Sequence, residues 1–591
     1  MSLLRRGVLR ILAAVIVVVA SGPSPSTPLD AAAHGRAKLD PLLQAQQAAP
    51  GRSRVVLRLA SADALPDVVS MAKSYGGQVI RGLPLADSVV LDLPNTALPL
   101  VAGSAHVAGL SADRLVVGAM ERTGATIGAS AVRQQLGYDG AGIGVAVIDS
   151  GASGFHDDLA DPATGAARVD RFVDFINGRT SPYDDYGHGT HVAGIIAGNG
   201  ADSAGARTGI APRARLVVLK VLDEQGRGRI SDVIAALDYV VANKDALNIR
   251  IVNLSVATGV YESYDTDPLT LAAKRAVEAG IVVVVAAGNN GRSPQGATQY
   301  GGITAPGNAP WVVTVGASSH MGTVDRQDDT IAPFSSRGPA AIDNAAKPDL
   351  VAPGVGIESL SDPDSLLYAT RSLYLLNGTK LTPYRPYISL SGTSSAAPVV
   401  AGTVALMLQA NPALTPNAVK AILQYTAHAY KGYDQLTQGA GLVNAKGAVE
   451  LAGYLSSPAA PSAPDSKDWS RSIIWGNQVV TNGDLTAGAN AWALGVTWGA
   501  ASTPTGATVS LGVKGKAWGP AEGGSSTNVV WGKDCDGDNC QGSWSARPLS
   551  GASDAEGDTV VWGTTDGEGD TVVWGTTCLD PSCEPVVWIR R

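Results

Sequence analysis

"GIGVAVIDSG" occupies residues 142–151. Val145 to Ile148 run without a polar break into Asp149, and Ser150 and Gly151 follow. A strand buried on both faces of a parallel sheet reads this way, as a continuous apolar run rather than an alternating one. Similar runs recur in "RLVVLKVL" (215–222), "IRIVNLS" (249–255), "GIVVVVAAGN" (280–289) and "WVVTVGAS" (311–318). Between them "ISDVIAALDYVVANKD" (230–245) and "LTLAAKRAVEAG" (269–280) space their apolar residues as helices do. Strands alternating with helices predict an α/β fold, a doubly wound and mostly parallel sheet, from about Ser130 to Leu455. Such sheets carry their active groups beyond the C-terminal strand ends, where Asp149 stands.

The rest of the 591 residues divides around this region. Residues 1–33 place Arg5, Arg6 and Arg10 before an apolar run, Ile11 to Ala20, with small residues after it. That order predicts a secretory signal, and the run is short for a membrane span. No later segment reads as long and apolar enough to cross a membrane. Residues 34–120 hold a small α+β pattern: "RVVLRLA" as a strand, "ADALPDVVSMAKSYG" as a helix, "GQVIRGLPLADSVVLDLP" as a strand pair, and a short segment with "RLVVG" after it. The α/β region spans 121–455, and a Pro/Ser/Ala linker spans 456–468.

The tail, 469–591, holds ten of the eleven tryptophans and repeats "VVWG" at 529–532, 560–563 and 572–575, with "IIWG" at 473–476. "EGDTVVWGTT" occurs at Glu556 and again at Glu568. Short aromatic strands between Gly/Asp turns predict a β-rich repeat. All four cysteines, Cys535, Cys540, Cys578 and Cys583, lie in this tail, where an exported chain would pair them. None is available as a nucleophile in the α/β region. A net charge of −8, with no basic stripe, excludes a nucleic-acid partner.

Three polar groups stand where the sheet would display them: Asp149, His188 in "DDYGHGTHVAGIIAG" (184–198), and Ser394 in "SGTSSAAP" (391–398). A serine hydroxyl attacks only when a base takes its proton, and the base needs an acid to orient it and stabilise its cation. Taken singly each residue has a plainer reading. Asp149 is a strand-end turn residue, His188 or its neighbour His191 a capping or metal residue, and Ser394 a helix N-cap. It is their joint occurrence, with these flanks, that points to chemistry.

The stretches "VAVIDSG", "GHGTHVAGIIAG", "VVVAAGNNG" (283–291) and "SGTSSAAP" resemble, in order, the four signatures of the subtilisin-like serine proteases, the subtilase family. "FSSRGP" (334–339) and "KPDLVAPG" (347–354) are also family-like. The resemblance implies a serine endopeptidase acting on polypeptides, with Asp149 as orienting acid, His188 as base, Ser394 as nucleophile and His191 structural. It assigns Asn289 to the oxyanion hole, with Asn290 the competitor. "QGRGRIS" would pair Gly226, Arg227 and Gly228 with substrate backbone, and Ser255, Val256 and Ala257 would line the first specificity pocket. Ala257 and Thr258 replace the family's usual glycines and narrow it. Arg227 and Arg229 lie near this groove and either favour acidic substrate residues or simply face solvent.

Asp184 and Asp185 read as exposed loop residues. Asp158 aligns with a calcium ligand, so a structural calcium is an expectation, although "NGADSAGARTG" (199–209) departs from the usual loop. The chemistry itself calls for no cofactor. Ser395 stands where the family most often has methionine. The family also implies that residues 34–120 are a prosegment that assists folding and inhibits the enzyme, with the junction near "GAMERTG" (118–124). Secretion, self-processing, and a tail that binds cell envelope or polymer complete the expectation. The alternative is a catalytically dead scaffold that adheres through its tail.

Overall fold

The computed structural model describes residues 38–511, apart from 84–86, 114–118, 162–163, 294–295, 458–462 and 482–484, and beyond them 516–518, 559–561, 564–565 and 571–572. The signal region, "RLVVG" and all four cysteines lie outside the described residues.

Two compact units emerge, Met1–Val116 and Val117–Arg591. In the first, β1 (Arg52–Leu59), α1 (Leu65–Ser74), β2 (Gln78–Leu83), β3 (Ser88–Pro94), α2 (Leu98–Ala102) and β4 (Val107–Ala112) follow one another. The four strands form an antiparallel sheet in the order β2-β3-β1-β4. Leu57, Val68, Leu91, Leu93, Leu98 and Val101 close its core. Alternation along β1 drives this, since every second residue from Ser53 to Leu59 is buried while Arg52, Arg54 and Arg58 are exposed.

The second unit is built on a sheet of β5 (Gly144–Asp149), β6 (Val169–Asp174), β7 (Arg215–Lys220), β9 (Ile249–Leu254), β10 (Val282–Ala286), β11 (Val313–Ser319), β12 (Thr330–Ile331) and β13 (Leu350–Pro353). A separate short strand, β8 (Arg227–Arg229), follows β7 in sequence. The order is β12-β11-β10-β9-β5-β7-β6, with β13 also on β11, and all pairs but β11–β12 are parallel.

Both faces are covered. Val145 and Val147 of β5 enter one apolar layer with α4 (His188–Ala197) and α7 (Thr393–Ala410). Ala146 and Ile148 enter the other, with α5 (Ile230–Asn243) and α6 (Pro268–Glu278). The strand order reverses between β5 and β9, which opens a crevice at their C-terminal ends.

Two sequence expectations change here. α7 is long and apolar enough to span a membrane, contrary to the reading above, but 89% of it is buried inside the protein and it serves as the central core helix. The tail also does not begin as a separate domain at 469. Trp469, Ile473, Trp475, Trp492 and Trp498 join the core layer of α7, packing with α8 (Pro416–Thr426) and α9 (Ala445–Ser456). Trp475 and Trp498 stack with ring centroids 4.7 Å apart, and Lys420 of α8 lies 4.6 Å from the Trp498 ring. Asn417 donates to the carbonyls of Ala491 and Val496 at 2.9 and 2.8 Å. Large aromatic surfaces and satisfied backbone groups weld residues 469–511 to the α/β body. Strands β17 (Ser472–Trp475), β18 (Gln478–Thr481) and β19 (Lys516–Trp518) form a small antiparallel sheet there.

Candidate active site

Three elements converge on the crevice. Asp149 ends β5, fully buried. His188 opens α4 behind Gly187, and Ser394 lies in the first turn of α7 behind Gly392. His188 Nδ1 is 3.0 and 3.1 Å from the two carboxylate oxygens of Asp149. A carboxylate only accepts, so Nδ1 carries the proton and Nε2 is left to accept. Nε2 lies 2.9 Å from Ser394 Oγ, which therefore donates to it. The Ser150 N–H donates to Asp149 Oδ1 at 2.7 Å and fixes the carboxylate from behind.

Asp184 is a correction to the sequence reading. It is 2% exposed, and its carboxylate accepts from Ser150 Oγ, the Gly187 N–H, the Thr190 N–H and the Thr190 hydroxyl, all at 2.7–2.8 Å. An acidic group here satisfies the donors at the start of α4 and so sets the position of His188. Asp185 is half-buried and pairs with the fully buried Lys220 at 2.5 Å. Lys220 also donates to the carbonyls of Ser150 and Leu222 at 2.7 Å. Thr190, six residues after Asp184 within "GHGTH", is the sequence feature that would have shown Asp184 to be partnered.

His191 packs as expected. Its Nε2–H donates to the Ile357 carbonyl at 3.0 Å, and burial pushes the imidazole down to about 3, so it stays neutral.

Asn289, just beyond β10, accepts from the Thr393 N–H and hydroxyl through Oδ1, both at 3.0 Å. Its amide NH2 is thereby turned away from Thr393, and the two elements are locked together. Asn290 is engaged elsewhere, its Nδ2 donating to the Gly302 carbonyl at 3.3 Å. The two asparagines thus make different contacts.

Ser255 has a different place from the one expected. Its hydroxyl is buried, donates to the Ser394 carbonyl at 2.9 Å and accepts from Asn253 Nδ2 at 2.9 Å. The reason lies in Pro398, inside α7. Proline has no N–H to give the carbonyl four residues back, which is that of Ser394. Ser255 supplies the missing donor. Val256 is fully buried in the apolar layer, so only its backbone is available to a groove, while Ala257 is partly exposed. Ser395 is buried with no hydrogen-bond partner for its Oγ.

Gly226, at φ +75°, lies where a Cβ would stand 2.5 Å from the Tyr186 ring, and a Cβ on Gly228 would stand 2.1 Å from the Val221 carbonyl. Close packing thus demands glycine on both sides of Arg227, whose side chain, like that of Arg229, is exposed.

Asp158 clusters with His156 and Asp202. Its oxygens accept from the Asp202 N–H at 2.9 Å and the Tyr387 hydroxyl at 2.8 Å. His156 uses both nitrogens, accepting from the Asp158 N–H at 3.2 Å and donating to the Pro386 carbonyl at 2.9 Å. Burial, then the Asp158 charge, raises the Asp202 carboxyl above its usual value. Calcium takes six to eight oxygen ligands; Asp158 and Asp202 bring carboxylates to this cluster, and Asp202 Oδ1 is buried without a hydrogen-bond partner.

Comparison with known proteins agrees with the geometry. The subtilase family model matches residues 140–448. The chain belongs to the subtilase family. Serine protease AprX of Bacillus subtilis (strain 168) is 40% identical over 54% of this chain and 68% of its own length. Subtilisin DY of Bacillus licheniformis is 33% identical over 54% of this chain and 94% of its own. A solved structure, fervidolysin from Fervidobacterium pennivorans, titled a keratinolytic enzyme related to subtilisin, aligns with 68% of this chain and 61% of its own, at 23% identity and a TM-score of 0.42. Family membership makes the chain a subtilisin-like serine endopeptidase of α/β fold, a hydrolase of peptide bonds.

Proposed function

We propose that this subtilase hydrolyses polypeptides through Asp149, His188 and Ser394. The hydrogen-bonded line from the Asp149 carboxylate through His188 to Ser394 Oγ is the observation that carries the reading. Ser394 Oγ attacks the scissile carbonyl as His188 Nε2 takes its proton, and Asp149 holds the resulting imidazolium. The oxyanion is met by Asn289 Nδ2 and by the Ser394 N–H at the positive end of α7. His188 then protonates the leaving amine, the acyl-enzyme forms, and water attacks it by the same route in reverse. Gly228, flanked by Gly226 and Arg227, pairs with the substrate backbone, and Ala257 narrows the first pocket.

The chain is made, on this reading, as a secreted, self-processing precursor whose first unit is the inhibitory prosegment. The junction lies before Ala119 rather than within "GAMERTG". The helix α3 (Ala119–Thr126) buries Met120 and Thr123 in the second unit, which argues against a cut inside it. The triad chemistry calls for no metal, and a structural calcium at Asp158 is tested separately by comparing melting temperatures with calcium and with a chelator. Trp469, Trp475, Trp492 and Trp498 are buried, so envelope or polymer binding by the tail falls to its later repeats.

The test compares the chain with Ser394→Ala by size, N-terminal sequence and labelling with a serine-directed fluorophosphonate. Labelling and processing are expected only with Ser394. Loss of neither in the variant would overturn the assignment, and no labelling of either would favour the dead-scaffold reading.

A further inference from the structure

Strand β8 is the segment expected to receive substrate, and it already has a partner from the same chain. Residues Thr559–Val561 of the tail, here β20, pair with it antiparallel, with Thr559 opposite Arg229, Val560 opposite Gly228 and Val561 opposite Arg227. The backbone polarity of β8 explains why this edge is open to a strand. The Arg227 carbonyl accepts from the Asp223 N–H at 2.7 Å, and the Arg227 N–H donates to Asp223 Oδ1 at 2.9 Å. Both polar groups of Arg227 therefore face inward. By the alternation of an extended chain, those of Gly228 face outward, toward Val560.

The register and the sequence charges also bear on this pairing. The tail strand runs antiparallel to β8, from its Arg229 end to its Arg227 end. Arg227 and Arg229 are exposed, and the residues that precede the tail strand in sequence are acidic: Asp554, Glu556 and Asp558. The same "EGDTVVWGTT" recurs twelve positions on, where Thr571–Val572 pairs with Thr564–Thr565 instead. Among the described residues, the first copy pairs with β8 and the second with Thr564–Thr565.

We propose that β8 is the docking site for the tail's own acidic-led Thr-Val-Val strand, so that the tail competes with polypeptide substrate for the cleft. This rests on the endopeptidase reading above. Tethering presents such a strand at an effective concentration in the millimolar range. If the free strand binds at about 0.1–1 mM, a competitor at about 1 mM raises the apparent KM by roughly twofold to tenfold and leaves kcat unchanged.

The test uses the full chain and its Val560→Pro/Val572→Pro variant, since proline removes the N–H that Val560 would give Gly228 and its equivalent in the second copy. A short chromogenic peptide gives KM and kcat, and fluorophosphonate labelling reports Ser394 in both. The expected result is a KM lower by roughly twofold to tenfold in the variant at equal kcat, restored by adding the peptide EGDTVVWGTT but not a scrambled one. Equal KM in both proteins, or no competition by the peptide, overturns the proposal while labelling persists. Absence of labelling in both would instead overturn the endopeptidase reading.

Discussion

Replacing Ser255 by alanine tests whether the nucleophile's own backbone depends on a side chain from another strand. The hydroxyl makes two buried bonds, each 2.9 Å, one to the Ser394 carbonyl and one from Asn253. Leaving a buried polar group unpaired costs about 1–3 kcal/mol, so Ser255→Ala should lose roughly 2–6 kcal/mol for the two groups. The cause assigned to this need is Pro398, and a second substitution isolates it. Pro398→Ala restores an N–H that can reach the Ser394 carbonyl along the helix. In that background Ser255→Ala should cost about 1–2 kcal/mol less. The backbone effects of Pro398→Ala itself cancel in the cycle. All four proteins should carry Ser394→Ala, which keeps the carbonyl and prevents autolysis, and their stabilities follow from urea unfolding. Additivity within about 0.5 kcal/mol would refute the link between Pro398 and Ser255.

Three further outcomes follow from the same geometry. Asp149→Asn should lower kcat by about 10⁴, the order found for this change in a trypsin-like triad, because an amide can present a donor to His188 Nδ1 and reverse its tautomer. A loss under tenfold, measured on a chromogenic peptide, would sink the orienting role. Asn289→Leu should lower kcat by roughly 10²–10³ with little change in KM, a figure established in subtilisin, which belongs to this family; a change confined to KM would count against an oxyanion role.

Asp329 concerns stability. Burial raises its carboxyl to about 7, while the Tyr430 hydroxyl donates to it at 2.7 Å. Its folded pKa exceeds the unfolded one, so the folded state holds the extra proton and stability falls as pH rises from about 4 through about 7. Asp329→Asn should remove that slope and raise the melting temperature relative to the parent at pH 8. Parallel melting-temperature profiles from pH 5 to 8 would contradict it.

The continuous apolar runs around Val145, Val217 and Val284 determined a parallel, doubly covered sheet, since no other arrangement buries both faces of so many short strands. The stretches around Asp149, His188 and Ser394 likewise carried the family, because each pairs a reactive side chain with the turn that displays it. Register and partner choice were not legible. Asp184 reads as a loop residue until Ser150 beyond β5, Gly187 and the first turn of α4 close around it with four donors. Ser255 reads as a pocket wall until Pro398 is seen to free the carbonyl it meets. The first tail tryptophans read as a separate repeat until they close the core beside α7. Short-range patterns specify which elements form and which residues their ends display. Whether a polar group is buried and who satisfies it depends on how segments come together in space, whether six residues apart as at Asp184 and Thr190 or 139 apart as at Ser255 and Ser394, and only the tertiary structure decides that.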